Sequence, residues 1–382
     1  MALGDGIRRN VASVRPAERA LLRDALVELN NRLYPGDRLD SVPGGVTWWF
    51  KQDEIHQATH VHGGPEFVPW HRVIVNRFEQ LLRAINPQLS LHYWDWTQDP
   101  RAITGANMGA GATGTLSLFT PDLMGYGGSV PAAIGEPWLS AGYYVPGADP
   151  HRDASGNPAD PPLMVMRHIA GTPADPADDS GVVSADDFAQ MATRLELVHN
   201  AMHGFVSMGG QHISFRDPFV FLLHSNVDRL FALWQTQPGH GERLDPAYVY
   251  GSLSSQAALN SNAEPWSTGH SFDQFDNEHF TRPWFAPEND GVPRTYKHPA
   301  IVRPPRYDTN VAVHLPPAPD EAGGPTVTSG GPHDLDVLIR GKHNLDLVHR
   351  WFAGGHWGGW DNLGGDLAAG PAVTAGGPHD LD

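Results

Sequence analysis

The sequence predicts a mainly α-helical domain with long irregular loops, followed by a small β unit. Three observations predict it. Apolar residues recur at helical spacing in four separate stretches, the segments between them are rich in glycine and proline, and a six-residue motif recurs near the C-terminus. A chain of 382 residues with 40% apolar residues and 12 tryptophans is long enough for one large domain and part of another.

The first helical stretch covers residues 15–33, where Leu22, Leu26, Leu29 and Leu33 share a face with Ala25 and Pro16 stands near the start. It packs a core and carries no chemistry. The second starts at His71, runs through Val75, Phe78, Leu81 and Leu82, and stops at Ile85 before Asn86-Pro87. Trp94, Asp95 and Trp96 follow as braces between helices. From Thr104 to Ser184 the periodicity is weak, which reads as loop surface around a site. Helical signals return over Ala185–His203 and Asn226–Gln235, and residues 238–307 are again rich in proline and aromatic residues.

Composition excludes several classes. The formal net charge of −17 argues against a nucleic-acid partner, and the absence of cysteine excludes disulfides, thiolate zinc sites and thiol catalysis. Behind the two N-terminal arginines there is no apolar run, so neither a secretory signal nor a membrane span is expected. Cytoplasmic location is the default, with secretion through a removed leader or an accessory protein left open.

Chemistry concentrates in histidine. Residues 55–80, IHQATHVHGGPEFVPWHRVIVNRFEQ, hold His56, His60, His62 and His71. A second set follows in LELVHNAMHGF and DPFVFLLHSNVDRLFALWQ, as His199, His203 and His224. Residues four apart lie on one helix face, so His199 and His203 can address one ion, with His224 as a third ligand. Two sets of three imidazoles suit a pair of adjacent metal ions. A zinc hydrolase would place a glutamate inside the HxxxH motif as base, and HNAMH has none.

The His62-to-His71 spacing, the FVPWHR box, the HxxxH and the DPF…HSNVDRLF box, in this order, resemble the type 3 copper proteins of the tyrosinase, catechol oxidase and haemocyanin group. IRRNVASVRPAERALL is similar to the opening of tyrosinase-type domains. The resemblance implies a four-helix bundle around a dicopper centre, two copper ions per chain and dioxygen as co-substrate. His62 and His71 match the first copper's ligands; no histidine precedes His56, which leaves His56 or His60 for the third position, and the Ile-His before the loop favours His56. His199, His203 and His224 match the second copper's set. Family members often carry two successive histidines where this chain has Leu223-His224, so metal binding is expected to persist in altered surroundings. The thioether between a cysteine and a ligand histidine, found in some members, cannot form here.

The same resemblance implies that Asn200, after the second copper's first ligand, holds with Glu196 a water that takes the phenol proton. Gly204, Ile213 and Phe215 are expected at the substrate entrance, and Arg72, Asp228 and Glu79 as an ion-paired brace.

A connector is expected at residues 314–325, HLPPAPDEAGGP, after a dicopper oxidase domain over residues 1–313. Beyond it GPHDLD occurs at residues 331–336 and again at 377–382, preceded by PTVTSG and PAVTAG. This spacing fits one four-stranded propeller blade, and HRWFAGGHWGGWDNLGG resembles repeats of bacterial sugar-binding β-propeller lectins. Residues 326–382 therefore read as a truncated propeller-type repeat, with Trp351, Trp357 and Trp360 as blade core before sugar platform. The activity implied is oxidation of phenols and o-diphenols to o-quinones. An o-aminophenol oxidase forming quinone imines is the alternative, ahead of a haemocyanin-like oxygen carrier and of carbohydrate binding as the main role. The expected partner is a small phenolic substrate, with no nucleic acid and no membrane; glycan binding by a full propeller and homo-oligomerisation stay open.

Overall fold

The computed structural model describes residues 3–32, 48–59, 61–135, 138, 151–152, 158–159, 165–207, 214–264, 294–313, 315, 326–331, 334–340, 347–353, 355–364, 375–377 and 380–381. The chain divides into two compact units, residues 1–297 with 304–313, and residues 298–303 with 314–382.

Among the described residues the first unit has six α-helices: α1 Pro16–Asn31, α2 Trp48–Thr59, α3 Phe67–Ile85, α4 Pro176–Val183, α5 Phe188–Val206 and α6 Val220–Gln235. α6 is buried on nearly every side, from Val220 to Gln235. A helix buried all round has to sit at the centre, and α3, α4 and α5 pack on it. The Phe78 ring of α3 stacks on Phe221 of α6, with Trp49 of α2 edge-on to both at 5.9 and 5.3 Å. α1 lays its buried Leu22, Leu26 and Leu29 toward α2 and α3.

Two helices start earlier than their sequence signals. α3 begins at Phe67, ahead of His71, because Pro69 falls in the first turn, where a backbone N–H lacks an intrahelical acceptor anyway. α6 begins at Val220, ahead of Asn226, with the Asp217 carboxylate accepting from Phe219 N at 2.9 Å just before it. His71 and His224 therefore sit in second turns and not at helix starts. The stretch expected to be irregular from Thr104 to Ser184 holds an antiparallel hairpin, β1 Ile103–Gly109 and β2 Ala112–Leu116, and α4. α4 has a readable start: Asp175 caps it by accepting from Ala177 N, and Pro176 opens it. α5 starts at Phe188 with the Asp187 carboxylate accepting from Gln190 N.

Buried charges join these elements. Asp228 of α6 accepts from Arg72 of α3 at 2.5 Å and from Arg8 at 2.9 Å. Arg8 also binds Glu79, Asn76 and the Tyr307 hydroxyl. The expected set of Arg72, Asp228 and Glu79 is thus one network, with Arg8 as its bridge.

The second unit contains a four-stranded antiparallel sheet in chain order, β3 Thr326–Gly331, β4 Asp334–Arg340, β5 Leu347–Ala353 and β6 His356–Gly364. A short hairpin, β7 Ala375–Gly377 with β8 Asp380–Leu381, packs beside β3. Of the expected connector, all but Leu315 lies outside the described residues.

Candidate metal centre

Four helices and one loop each bring histidine to a common point in the first unit. α2 contributes His56, the loop before α3 contributes His62, α3 contributes His71, α5 contributes His199 and His203, and α6 contributes His224. Ring nitrogens of His56, His62 and His71 lie within 4.8 Å of one another, and so do those of His71, His199 and His224. His71 stands between the two sets: its ring stacks on His224 at 4.7 Å and 5°, and lies 5.4 Å from His62. His203 falls outside the tighter groups, with its ring 4.4 Å from His199 and 5.2 Å from His224. His60 lies outside the described residues.

Hydrogen bonds fix which nitrogen three of the rings offer. His71 Nδ1 donates to Phe67 O at 2.8 Å, and His224 Nδ1 donates to Val220 O at 2.9 Å, in both cases one helical turn back. His199 Nδ1 donates to Asn200 Oδ1 at 2.9 Å. A neutral imidazole that donates through Nδ1 presents a lone pair at Nε2. The Nε2 atoms of His199 and His224 face each other at 3.0 Å, and His71 Nε2 is buried without a hydrogen-bond partner. Converging lone pairs repel unless a cation stands among them, so this donor set fits a metal of the kind imidazole prefers.

Burial keeps these rings neutral. Desolvation, reinforced by neighbouring imidazoles, holds His71, His199 and His224 well below the ordinary 6.5, and pushes half-buried His203 down to about 3. Neutral imidazole is the ligating form, so the environment prepares the site for a cation and against protons.

Apolar walls come from the box around His71. Phe67 lies 4.5 Å from His71 and 4.9 Å from His199, and Trp70 lies 4.8 Å from His71 and 5.7 Å from His56. Phe215, expected at the entrance, is instead fully buried: its ring stacks on His56 at 4.2 Å and lies 4.9 Å from His224. The cause is the single-turn 3-10 helix Ser214–Arg216, drawn against α2 where Arg216 Nε donates to Asp53 at 2.8 Å and Trp49 Nε1 donates to Arg216 O. Asp53 lies three residues before His56 on α2, a helical spacing that sequence reasoning passed over.

Glu196 and Asn200 each hold a member of the histidine frame. The Glu196 carboxylate accepts from Gly63 N at 2.7 Å, which ties the His62 loop to α5, and Asn200 is engaged by His199. Gly204 is exposed and borders a groove of about 570 Å³, with Leu197, Ala201 and Met202, along a flank of α5 turned away from His199. That places it off the expected substrate rim. Ile213 lies outside the described residues.

The sequence profile for the common central domain of tyrosinase matches residues 46–237, which contain all six of these histidines. Haemocyanin 2 of Megathura crenulata is 26% identical over 259 residues, 62% of this chain. Grixazone synthase of Streptomyces griseus is 27% identical over 308 residues, 72% of this chain and 93% of that protein. The tyrosinase of Streptomyces antibioticus is 28% identical over 287 residues, 68% of this chain and 93% of that protein. The chain spans only a small part of haemocyanin 2 and of haemocyanin 1 from the same organism, 6% of each. With half of its length matched by that profile, the chain belongs to the tyrosinase family of type 3 dicopper proteins.

Proposed function

We propose that the chain is an oxidase that uses dioxygen to convert phenols and o-diphenols to o-quinones. The observation that carries this reading is the convergence of six buried or half-buried imidazoles, of which His71, His199 and His224 are held neutral with their Nε2 lone pairs turned inward by fixed Nδ1 bonds. His56, His62 and His71 would hold one copper; His199, His203 and His224 would hold the other. α2, α3, α5 and α6 then form the four-helix bundle around them. When bound, the pair supplies dioxygen binding and electron uptake. Two o-diphenols and one dioxygen give two o-quinones and two waters; one phenol and one dioxygen give one o-quinone and one water.

The chain's own residues position and deprotonate. Carbonyls of Phe67 and Val220 orient His71 and His224, and Glu196 holds the His62 loop. Phe67, Trp70 and Phe215 keep water from the ring faces. A phenol binds a cation far better once its proton has left, so a base near the site matters. One Glu196 oxygen is engaged by Gly63, and the other, one turn from Asn200, is the group we assign to hold a water for that proton. Residues 326–382 we read as a propeller-type repeat joined by residues 314–325 to the oxidase domain of residues 1–313.

Oxygen uptake by the copper-loaded protein with a monophenol, its o-diphenol and an o-aminophenol tests the proposal. Quinone formed from either of the first two supports it. Quinone imine from the third alone would make the chain an o-aminophenol oxidase, and reversible oxygenation without product would make it a carrier. Asn200→Gly should lower monophenol turnover more than diphenol turnover; equal losses would remove the water-holding role.

A further inference from the structure

The sheet of the second unit leaves large side chains exposed on both faces. In its register Arg350 stands opposite Trp360 and Val337, and Phe352 opposite Trp357 and Leu335, so these residues share one face. The register shift between Trp357 and Trp360 sets Gly358 and Gly359 against Trp351, which returns both tryptophans to that face. The Arg350 guanidinium lies 5.1 and 5.3 Å from the Trp357 and Trp360 rings and donates to Gly358 O, and Phe352 packs 5.2 Å from Trp357. Trp357 and Trp360 nevertheless remain 48% and 51% exposed.

The opposite face differs in charge. Trp351 lies across Gly358, where a Cβ would come within 2.4 Å of its ring, and is itself 41% exposed. Around it stand Asp336, bonded to His349 at 2.7 Å, and exposed Asp361, the cross-strand partner of His349. One face is aromatic with a cation and the other is aromatic with acids. An antiparallel sheet tolerates one solvated face, whereas two faces with exposed tryptophan need cover.

We propose that this sheet stacks on the same sheet of a second copy of the chain, the Arg350 face of one against the Asp361 face of the next. The complementary charges argue for it: Arg350 stands on one face, and Asp336 and Asp361 on the other. Four strands about 4.8 Å apart and about seven residues long, at about 3.3 Å per residue, cover roughly 450 Å². Two such faces together bury about 900 Å², below the usual size of a stable interface, so a weak, reversible association is expected. Because unlike faces meet, the contact is head-to-tail and growth does not stop at a dimer. The inference goes beyond the copper chemistry and does not rest on it.

Sedimentation equilibrium of the full chain from about 1 to about 100 µM tests it. The expected mass rises with concentration; Trp357→Ser with Trp360→Ser abolishes the rise, and Arg350→Glu or Asp361→Arg alone weakens it at least about tenfold, roughly 1.4 kcal/mol. Arg350→Glu combined with Asp361→Arg restores it, an outcome that misfolding of either variant could not produce. A monomer at every concentration, association indifferent to these substitutions, or failure of the charge swap would overturn the proposal. So would a monomer whose tryptophan fluorescence titrates with a monosaccharide, which would give the face to sugar.

Discussion

Phe215 shows how one side chain can couple the two histidine sets, since its ring touches His56 of one and His224 of the other. Phe215→Ala removes that wedge and should cost about 3–5 kcal/mol of stability, as truncation of a buried phenylalanine does. In a copper titration the same variant should bind the ion of the His56 set more weakly while keeping the other; loss of both together would mean that the ring serves the whole core and not His56. The histidines also set a pH dependence. In the unfolded chain they take up protons near 6.5, whereas in the folded chain His71, His199 and His224 resist to well below that value and His203 to about 3. The unfolded state therefore binds more protons as the pH falls below 6.5, so the stability of copper-stripped protein should decline from there toward pH 3. Denaturant midpoints that stay flat from pH 7 to pH 4 would contradict this sign. At this scale the sequence was legible where residue type and spacing carried the message. The histidines announced themselves, but Phe215 did not, because its place depends on Arg216 reaching Asp53 more than 160 residues away, and no local pattern encodes that pairing.

Helices α3 and α6 are registered by buried charge as well as by packing. Arg72 follows His71 directly and Asp228 lies one turn beyond His224, so their ion pair clamps the two helices beside the His71–His224 stack. Asp228→Asn takes the carboxylate from the buried Arg72 guanidinium, while Arg8 keeps Glu79, and should destabilise by about 3–5 kcal/mol, read as a lower denaturation midpoint. A change below about 1 kcal/mol would show the pair to be redundant with the Phe78–Phe221 packing. Helices α1, α3, α5 and α6 were readable from 3.6-residue periodicity, yet two of them began earlier than expected, and α2, which carries His56, was not read as a helix at all. The first turns of α3 and α6, FVPW and VFLL, are buried all round and so display no polar face to mark a period. The β1–β2 hairpin stayed hidden because ITGANMG alternates weakly, and its turn relies on positive φ at Gly109, Ala110 and Gly111. α4 was legible and passed over: Asp175-Pro176 is a helix start.

At the scale of the molecule, the candidate metal ligands all lie in the first unit, and the sheet of the second unit holds none of them. Copper that binds the folded state alone should raise the unfolding temperature of the first unit by mass action, in proportion to the logarithm of free copper over its dissociation constant. The tryptophan-rich second unit should unfold at the same temperature with or without copper; calorimetry of loaded and stripped protein compares the two. A parallel shift of both transitions would mean that the units unfold as one. The measurement that bears most directly on the reading as a whole is the copper content of the reconstituted chain beside its His71→Asn and His224→Asn variants. The histidine geometry predicts two copper ions per chain in the parent protein and a loss in each variant. One ion, zinc in preference to copper, or full occupancy without His71 or His224 would contradict it.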